Sequence, residues 1–180
     1  MQRTHTCVVA GVLAAFALGT VGLAEASPKS ASVRQTTLDT SLLAQINGVR
    51  QTRLLPPLTR SPALSVVANR HTTEMIQTGY FSHSSRDHTL FWERIEGSYS
   101  SSGYRSWSVG ENLLSVEPNV SAQQAIDLWM QSPAHRAYLL DPTWREIGIA
   151  ARHSNCAPGA FAGQPVTIVT ADFGVRHTAG

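Results

Sequence analysis

The sequence contains little cysteine, little lysine and little net charge. Only 2 of its 180 residues are cysteine, so a packed core rather than a disulfide scaffold must hold the fold. The formal net charge is +2, which is too small for a typical nucleic-acid-binding surface. Hydrophobic residues make up 42% of the chain, too many for a disordered chain and too few for a polytopic membrane protein. We therefore expect one soluble, monomeric domain without a nucleic-acid partner.

Familiar catalytic signatures are also missing. The chain has no His-Glu-x-x-His, no Gly-x-Ser-x-Gly and no glycine-rich phosphate loop. Its single lysine, Lys29, precedes the predicted domain, which argues against a Ser-Lys mechanism. Cys156 lies in a Gly/Pro-rich loop without a supporting motif, and we interpret it as a free thiol rather than a nucleophile.

The first 26 residues are predicted to be a signal peptide. Arg3 precedes an apolar run over residues 7–23, and this run ends in the small-residue pattern Ala24-Glu25-Ala26. An uncleaved anchor helix is the alternative, but the run is short and contains three glycines. We therefore expect an exported protein, extracellular or associated with the cell wall, with no membrane span after cleavage and with Cys156 as its only cysteine.

The remaining chain divides into a flexible polar leader, residues 27–37, and a folded domain, residues 38–176. Apolar residues at helical spacing, with capping and proline signals, predict helices over residues 38–55, 62–78, 89–95, 121–131 and 133–140. Alternation and β-branched residues predict strands over 147–151 and 166–173, on either side of a loop. Helices come first and strands last, which favours an α+β layered domain.

Several single residues have local interpretations. Gly110-Glu111-Asn112 is predicted to form a turn, and Trp92, Trp107, Trp129 and Trp144 are mostly expected in the core. His71 lies on the apolar side of its helix and is interpreted as a core histidine. His88 is interpreted as a surface or capping residue, with a third donor in a cleft as the alternative.

Three short motifs carry the candidate chemistry: Phe81-Ser82-His83-Ser84, Gly110-Glu111-Asn112-Leu113, and the segment from Trp129 to Arg136. Together with Ile147-Gly148-Ile149 and residues 170–174, they resemble the CAP superfamily, the SCP-like extracellular domain of cysteine-rich secretory proteins. The resemblance covers about residues 38–176 and is to the bacterial branch, which lacks disulfides. It implies a three-layer α-β-α sandwich.

The resemblance also implies a cleft that gathers a histidine, two glutamates and a second histidine. His83, Glu111 and His135 match three of these positions in their motifs. Ser132 stands where the second glutamate is expected, which puts any mechanism with two carboxylates in doubt.

The chemistry of these groups leaves a metal-bound and a metal-free interpretation open. His83 and His135 can each offer one imidazole nitrogen to zinc or another divalent ion. His135 would lie near the third position of a helix capped by Ser132, where the helix dipole disfavours a protonated ring. Glu111 could hydrogen-bond a metal-bound water or orient a histidine. Without metal, the same groups would form a buried polar network.

Two functions follow from this site. The first is a binding module whose cleft recognises a cell-wall, glycan or lipid ligand, with or without a divalent ion. The second is a metal-dependent hydrolase in which Glu111 activates a water held by His83 and His135. One carboxylate and no evident nucleophile favour binding over catalysis. A structural protein with an inert cleft is a third alternative.

Overall fold

The computed structural model describes residues 29–178, and the side chains of residues 37–178. The predicted signal peptide lies outside the described residues. The helices are α1 (Lys29–Gln51), α2 (Pro62–Thr78), α3 (Phe91–Glu96), α4 (Ala122–Gln131) and α5 (Pro133–Leu140). The strands are β1 (Thr59–Arg60), β2 (Ser106–Val116), β3 (Glu146–Ser154) and β4 (Val166–His177), and a short 3-10 turn, Gly159–Phe161, lies between β3 and β4.

The strands form one sheet in the order β1-β3-β4-β2. Strand β4 runs antiparallel to both of its neighbours, and the two-residue β1 pairs in parallel with β3. Helices α1, α4 and α5 share a core with one face of the sheet. Helices α2 and α3 contribute to the clusters on the other face. The predicted three-layer α-β-α sandwich is confirmed, and β2 is an edge strand in it.

Helix α2 follows its local sequence signals closely. Ser61 takes the N-cap position before Pro62, and Gly79 ends the helix in the left-handed conformation, with φ of 70°. The helix packs against β3 at Gly148, where an added Cβ would lie 2.1 Å from the carbonyl carbon of Leu64. Only glycine permits this close approach, so Gly148 sets the distance between α2 and the sheet.

Three expectations differ from the structure. The predicted turn at residues 110–112 is wrong, because all 11 residues of β2 pair continuously with β4. Helix α1 begins at Lys29, inside the segment predicted as a flexible leader, and no glycine or proline interrupts it before Leu38. Trp92 is 43% exposed rather than in the core, whereas Trp129 is fully buried.

Cys156 also differs from its interpretation as a free thiol. It is disulfide-bonded in the structure, and no free cysteine occurs in the described part of the chain. The interpretation of Cys156 as a free thiol is therefore wrong for the full-length chain. Separately, no helix within residues 29–178 is both long enough and apolar enough to cross a membrane.

Candidate functional site

A cleft of about 270 Å³ lies along the edge strand β2. Successive residues of a strand point to opposite faces, so Glu111 faces the α2/α3 layer and Asn112 faces the α5 layer. Because no further strand of residues 29–178 covers this edge, side chains from both helical layers meet there. The cleft is lined by His83, Phe91, Glu111, Asn112, Ala134, His135 and Tyr138.

His83 is held by Glu111 and remains open to the cleft. Its Nδ1 lies 2.8 Å from Oε1 of Glu111, and its side chain is 53% exposed. An ionised carboxylate only accepts hydrogen bonds, so Nδ1 carries the hydrogen in this pair. The lone pair of Nε2 is then available to a ligand or a metal ion.

The loop that carries His83 is fixed by one buried and one partly buried side chain. Nε2 of His71 donates to the carbonyl oxygen of Ser82 at 2.9 Å. Nη1 of Arg94 donates to the carbonyl oxygen of His83 and to Oγ of Ser85, both at 3.1 Å. Three successive parts of the loop are thus anchored to α2 and α3.

His71 and His88 lie where their local patterns placed them, outside the cleft lining. His71 is fully buried in α2, and burial lowers its pKa, with the charge of Arg94 as the next cause. It is therefore a neutral core histidine. His88 is exposed, has a φ of 69° and does not line the cleft.

Glu111 is the buried centre of the site. Its side chain is 1% exposed, and its two oxygens have separate partners. Oε1 faces His83, and Oε2 accepts from Nη2 of Arg94 at 2.6 Å. Arg94 therefore balances the charge of Glu111 inside the fold. Sequence reasoning missed Arg94, although it shares a helix face with Phe91 and the buried Ile95 at i, i+3 and i+4 spacing.

His135 occupies the third position of α5, as predicted. Burial lowers its pKa, and repulsion from His83 whenever that ring is protonated is the second, smaller cause, so the His135 ring is neutral at pH 7. Its carbonyl oxygen accepts from Nδ2 of Asn112 at 3.0 Å, which ties the start of α5 to β2. Ser132 takes the N-cap backbone position, but its side chain makes no capping hydrogen bond and does not line the cleft.

Two aromatic rings flank the polar groups. Phe91 meets the ring of His83 edge-on, with centroids 6.4 Å apart. Tyr138 stacks on Trp144 with an interplanar angle of 6° and is 38% exposed. An added Cβ on Gly110 would lie 2.4 Å from the Tyr138 ring, so glycine here lets the ring lie against β2. Neither ring was predicted to line the cleft.

Asp172 is a further acidic residue at the base of the site. It lies opposite Glu111 in the β2/β4 register and is fully buried. Burial raises its pKa well above the usual value, and the negative charge of Glu111 is the second cause. The sequence held a signal for this residue, because it is the only acid in the predicted buried strand over 166–173.

The donor set for a metal ion is small. Within the described residues, no three His, Cys, Asp or Glu side chains are grouped so that they could hold a metal ion. His83 and His135 are the two imidazoles of the cleft, and the oxygens of Glu111 are engaged by other partners. The arrangement fits two protein ligands at most, which is fewer than zinc sites in proteins usually provide.

The fold and the cleft together define a class of protein, the α-β-α domain with a histidine- and glutamate-lined groove on its edge strand. The model of the cysteine-rich secretory protein (CAP) family matches residues 43–173. This match spans most of the chain, and the chain belongs to that family.

Relatives occur among bacterial proteins. The chain is 24% identical over 158 residues to the uncharacterized protein YkwD of Bacillus subtilis strain 168, a match that covers 83% of this chain and 59% of YkwD. An extracellular SCP-domain protein of Bacillus anthracis shares the fold with a TM-score of 0.64 and 21% identity, over 86% of this chain and 44% of that protein. This chain therefore spans less than two thirds of either relative.

A second solved structure is matched over almost its whole length. An outer surface protein of Borrelia burgdorferi has a TM-score of 0.61 and 20% identity, with 76% of this chain and 91% of that protein covered. At these identities the solved structures show that the fold is shared.

Proposed function

We propose that this protein is an exported binding module whose cleft recognises a cell-envelope ligand, with a glycan as the first candidate. The observation that carries this proposal is that the cleft exposes an imidazole but buries its carboxylate. The imidazole of His83 is half exposed, while the only carboxylate lining the cleft in the described residues is buried and engaged by two partners. The exposed groups are thus suited to hold a ligand rather than to transform one.

The lining supports a glycan as the ligand. Phe91 and the exposed ring of Tyr138 offer apolar faces, while the imidazoles of His83 and His135 offer hydrogen-bonding nitrogens. A sugar ring presents an apolar face and a rim of hydroxyl groups, which match these two kinds of surface. A lipid with a polar head group is the other occupant compatible with this lining.

Export is supported by the sequence and by relatives. The predicted signal peptide ends at Ala26, and the Bacillus anthracis relative is described as extracellular. The Borrelia burgdorferi relative is described as an outer surface protein. A cell-wall or extracellular location would bring the cleft close to glycans and lipids of the envelope.

A divalent ion would be held by His83 and His135 together with oxygens of water or of the ligand. Such an ion would supply a positive charge that anchors a hydroxyl or carboxylate oxygen of the ligand. Because the described chain offers only two imidazole ligands, we propose weak zinc binding that the ligand strengthens.

The metal-dependent hydrolase is the second function predicted from sequence, and no contact among the described residues favours it. A general base must contact the water that it deprotonates. Both oxygens of Glu111 already accept hydrogen bonds from protein groups, and its side chain is 1% exposed.

Calorimetric titration with soluble N-acetylglucosamine oligomers, with and without zinc, tests the proposal. We expect saturable binding by the wild type and at least about a tenfold loss of affinity in the His83→Ala, His135→Ala double variant, equivalent to about 1.4 kcal/mol. His177→Ala, an exposed histidine outside the cleft, is the matched control. Equal affinity in the double variant and the control would show that the cleft is not the site. Binding to lipid vesicles without binding to the oligomers would identify the ligand as a lipid rather than a glycan.

A further inference from the structure

Asp172 and Glu111 form a carboxyl pair beneath the cleft. They lie directly opposite each other in the antiparallel β2/β4 ladder, and Gly148 of β3 is the neighbour of Asp172 on its other side. Directly opposed residues have Cβ atoms about 5 Å apart and share one face of the sheet. Two negative charges at this distance repel strongly in a buried setting.

The surroundings of Asp172 do not suit a negative charge. Asp172 is fully buried, and neither carboxyl oxygen has a hydrogen-bond donor among the described residues. Arg94 of α3 is the nearby cation, and its Nη1 and Nη2 already bind the His83 loop and Glu111. His71 of α2 is neutral, and Gly148 of β3 carries no side chain. An ionised Asp172 would thus be a buried charge without a hydrogen-bonded partner among the described residues.

We propose that Asp172 is a positioning residue of the cleft, a neutral acid that donates its carboxyl hydrogen to Glu111. The negative charge of the pair then belongs to Glu111 alone. Burial and the negative Glu111 both raise the pKa of Asp172 and support this assignment. The proposal is independent of the ligand that the cleft binds.

Glu111 is then held by three donors from three parts of the chain. His83 contributes Nδ1, Arg94 contributes Nη2 and Asp172 contributes its hydroxyl. Because Glu111 orients His83, Asp172 helps to present the free nitrogen of His83 to the cleft. The site thus has a second carboxyl group, which comes from β4 rather than from the helix position occupied by Ser132.

The pH dependence of folding tests the protonation state of Asp172. In the unfolded chain this carboxyl ionises near its usual pKa of 3.8, whereas in the folded protein it stays protonated. The folding equilibrium constant of the wild type should therefore fall relative to that of Asp172→Asn as pH rises above 3.8. The expected fall is up to about tenfold for each pH unit, measured by urea unfolding between about pH 4.5 and pH 7. Asparagine keeps the shape of the side chain and a hydrogen-bond donor at its end, but it cannot ionise.

Two controls separate this role from packing. Asp127→Asn removes one exposed carboxylate on α4, and it should leave the pH dependence of the wild type in place. Glu111→Gln should flatten the pH dependence, because Asp172 can then ionise and accept from the new amide. If the ratio of the folding equilibrium constants of the wild type and Asp172→Asn stays constant with pH, the proposal is overturned.

Carbon-13 NMR of aspartate-labelled wild-type protein tests the same point without a variant. The assigned carboxyl carbon of Asp172 should keep the chemical shift of a protonated acid at pH 7. A shift typical of an ionised carboxylate at that pH would equally reject the neutral acid.

Discussion

At the scale of single residues, the site is organised around one buried carboxylate. The motifs of the sequence pointed to His83, Glu111, His135 and Ser132, and the structure places the first three around one cleft but not Ser132. Arg94 and Asp172, which contact or face Glu111, were not recognised from sequence. Local patterns placed both residues on buried faces, but their partnership with Glu111 depends on contacts between α3, β2 and β4.

Removing Arg94 should leave the charge of Glu111 buried and unpaired. The pair is 2.6 Å apart, and its side chains are 12% and 1% exposed. We expect Arg94→Ala to lower the free energy of unfolding by about 3 kcal/mol, measured by urea denaturation at pH 7. Arg53→Ala, which removes an exposed arginine of the loop after α1, should change it by less than about 0.5 kcal/mol. Similar losses in the two variants would contradict the role assigned to Arg94.

At the scale of elements, local chemistry predicted the helices better than the strands. Helix α2 starts after Ser61 and ends at Gly79, and Ser121 and Gln124 form the predicted capping box of α4. These signals lie within a few residues of the helix ends. Strand β2 was not predicted, because Gly110 suggested a turn. In the structure Gly110 instead leaves room for the ring of Tyr138. The two-residue β1 exists only through its pairing with β3.

Two glycine substitutions test how tightly the layers approach each other. In Gly148→Ala the new Cβ would meet the α2 backbone at 2.1 to 2.4 Å, so α2 must move away from β3. We expect a loss of about 3 kcal/mol in the free energy of unfolding, measured by chemical denaturation. Gly48→Ala in α1 meets nothing within 4 Å and should gain about 0.5 to 1 kcal/mol. A neutral Gly148→Ala would show that the layers pack more loosely than described.

At the scale of the whole molecule, the two helical layers meet at the exposed edge of β2. Loop 82–85 and α3 reach this edge from one face of the sheet, and the start of α5 reaches it from the other. The cleft therefore depends on correct assembly of all three layers. Protonation of a buried group in either layer should therefore change the stability of the whole domain.

His71 provides such a coupling. Its pKa is lowered from the usual 6.5, so the folded protein favours the neutral ring. The stabilisation is fully present above about pH 6.5 and is lost as pH falls below that value. We expect the folding equilibrium constant of the wild type to fall, relative to that of His71→Gln, by up to about tenfold per pH unit below 6.5. Urea unfolding between about pH 7.5 and pH 5 measures this, and parallel pH profiles would show that His71 is protonated equally in both states.

The sequence by itself determined the α+β class, the main helices and the three motif residues of the cleft, because these depend on periodicity, capping and short motifs. Tertiary structure alone decided that residues 110–112 form a strand, that Arg94 and Asp172 face Glu111, and that Ser132 stays outside the cleft lining. The reason is physical. Strand register and layer packing select the partners of a buried charge. They bring together residues that are distant in sequence, so local patterns can mark a residue as buried but cannot name its partner.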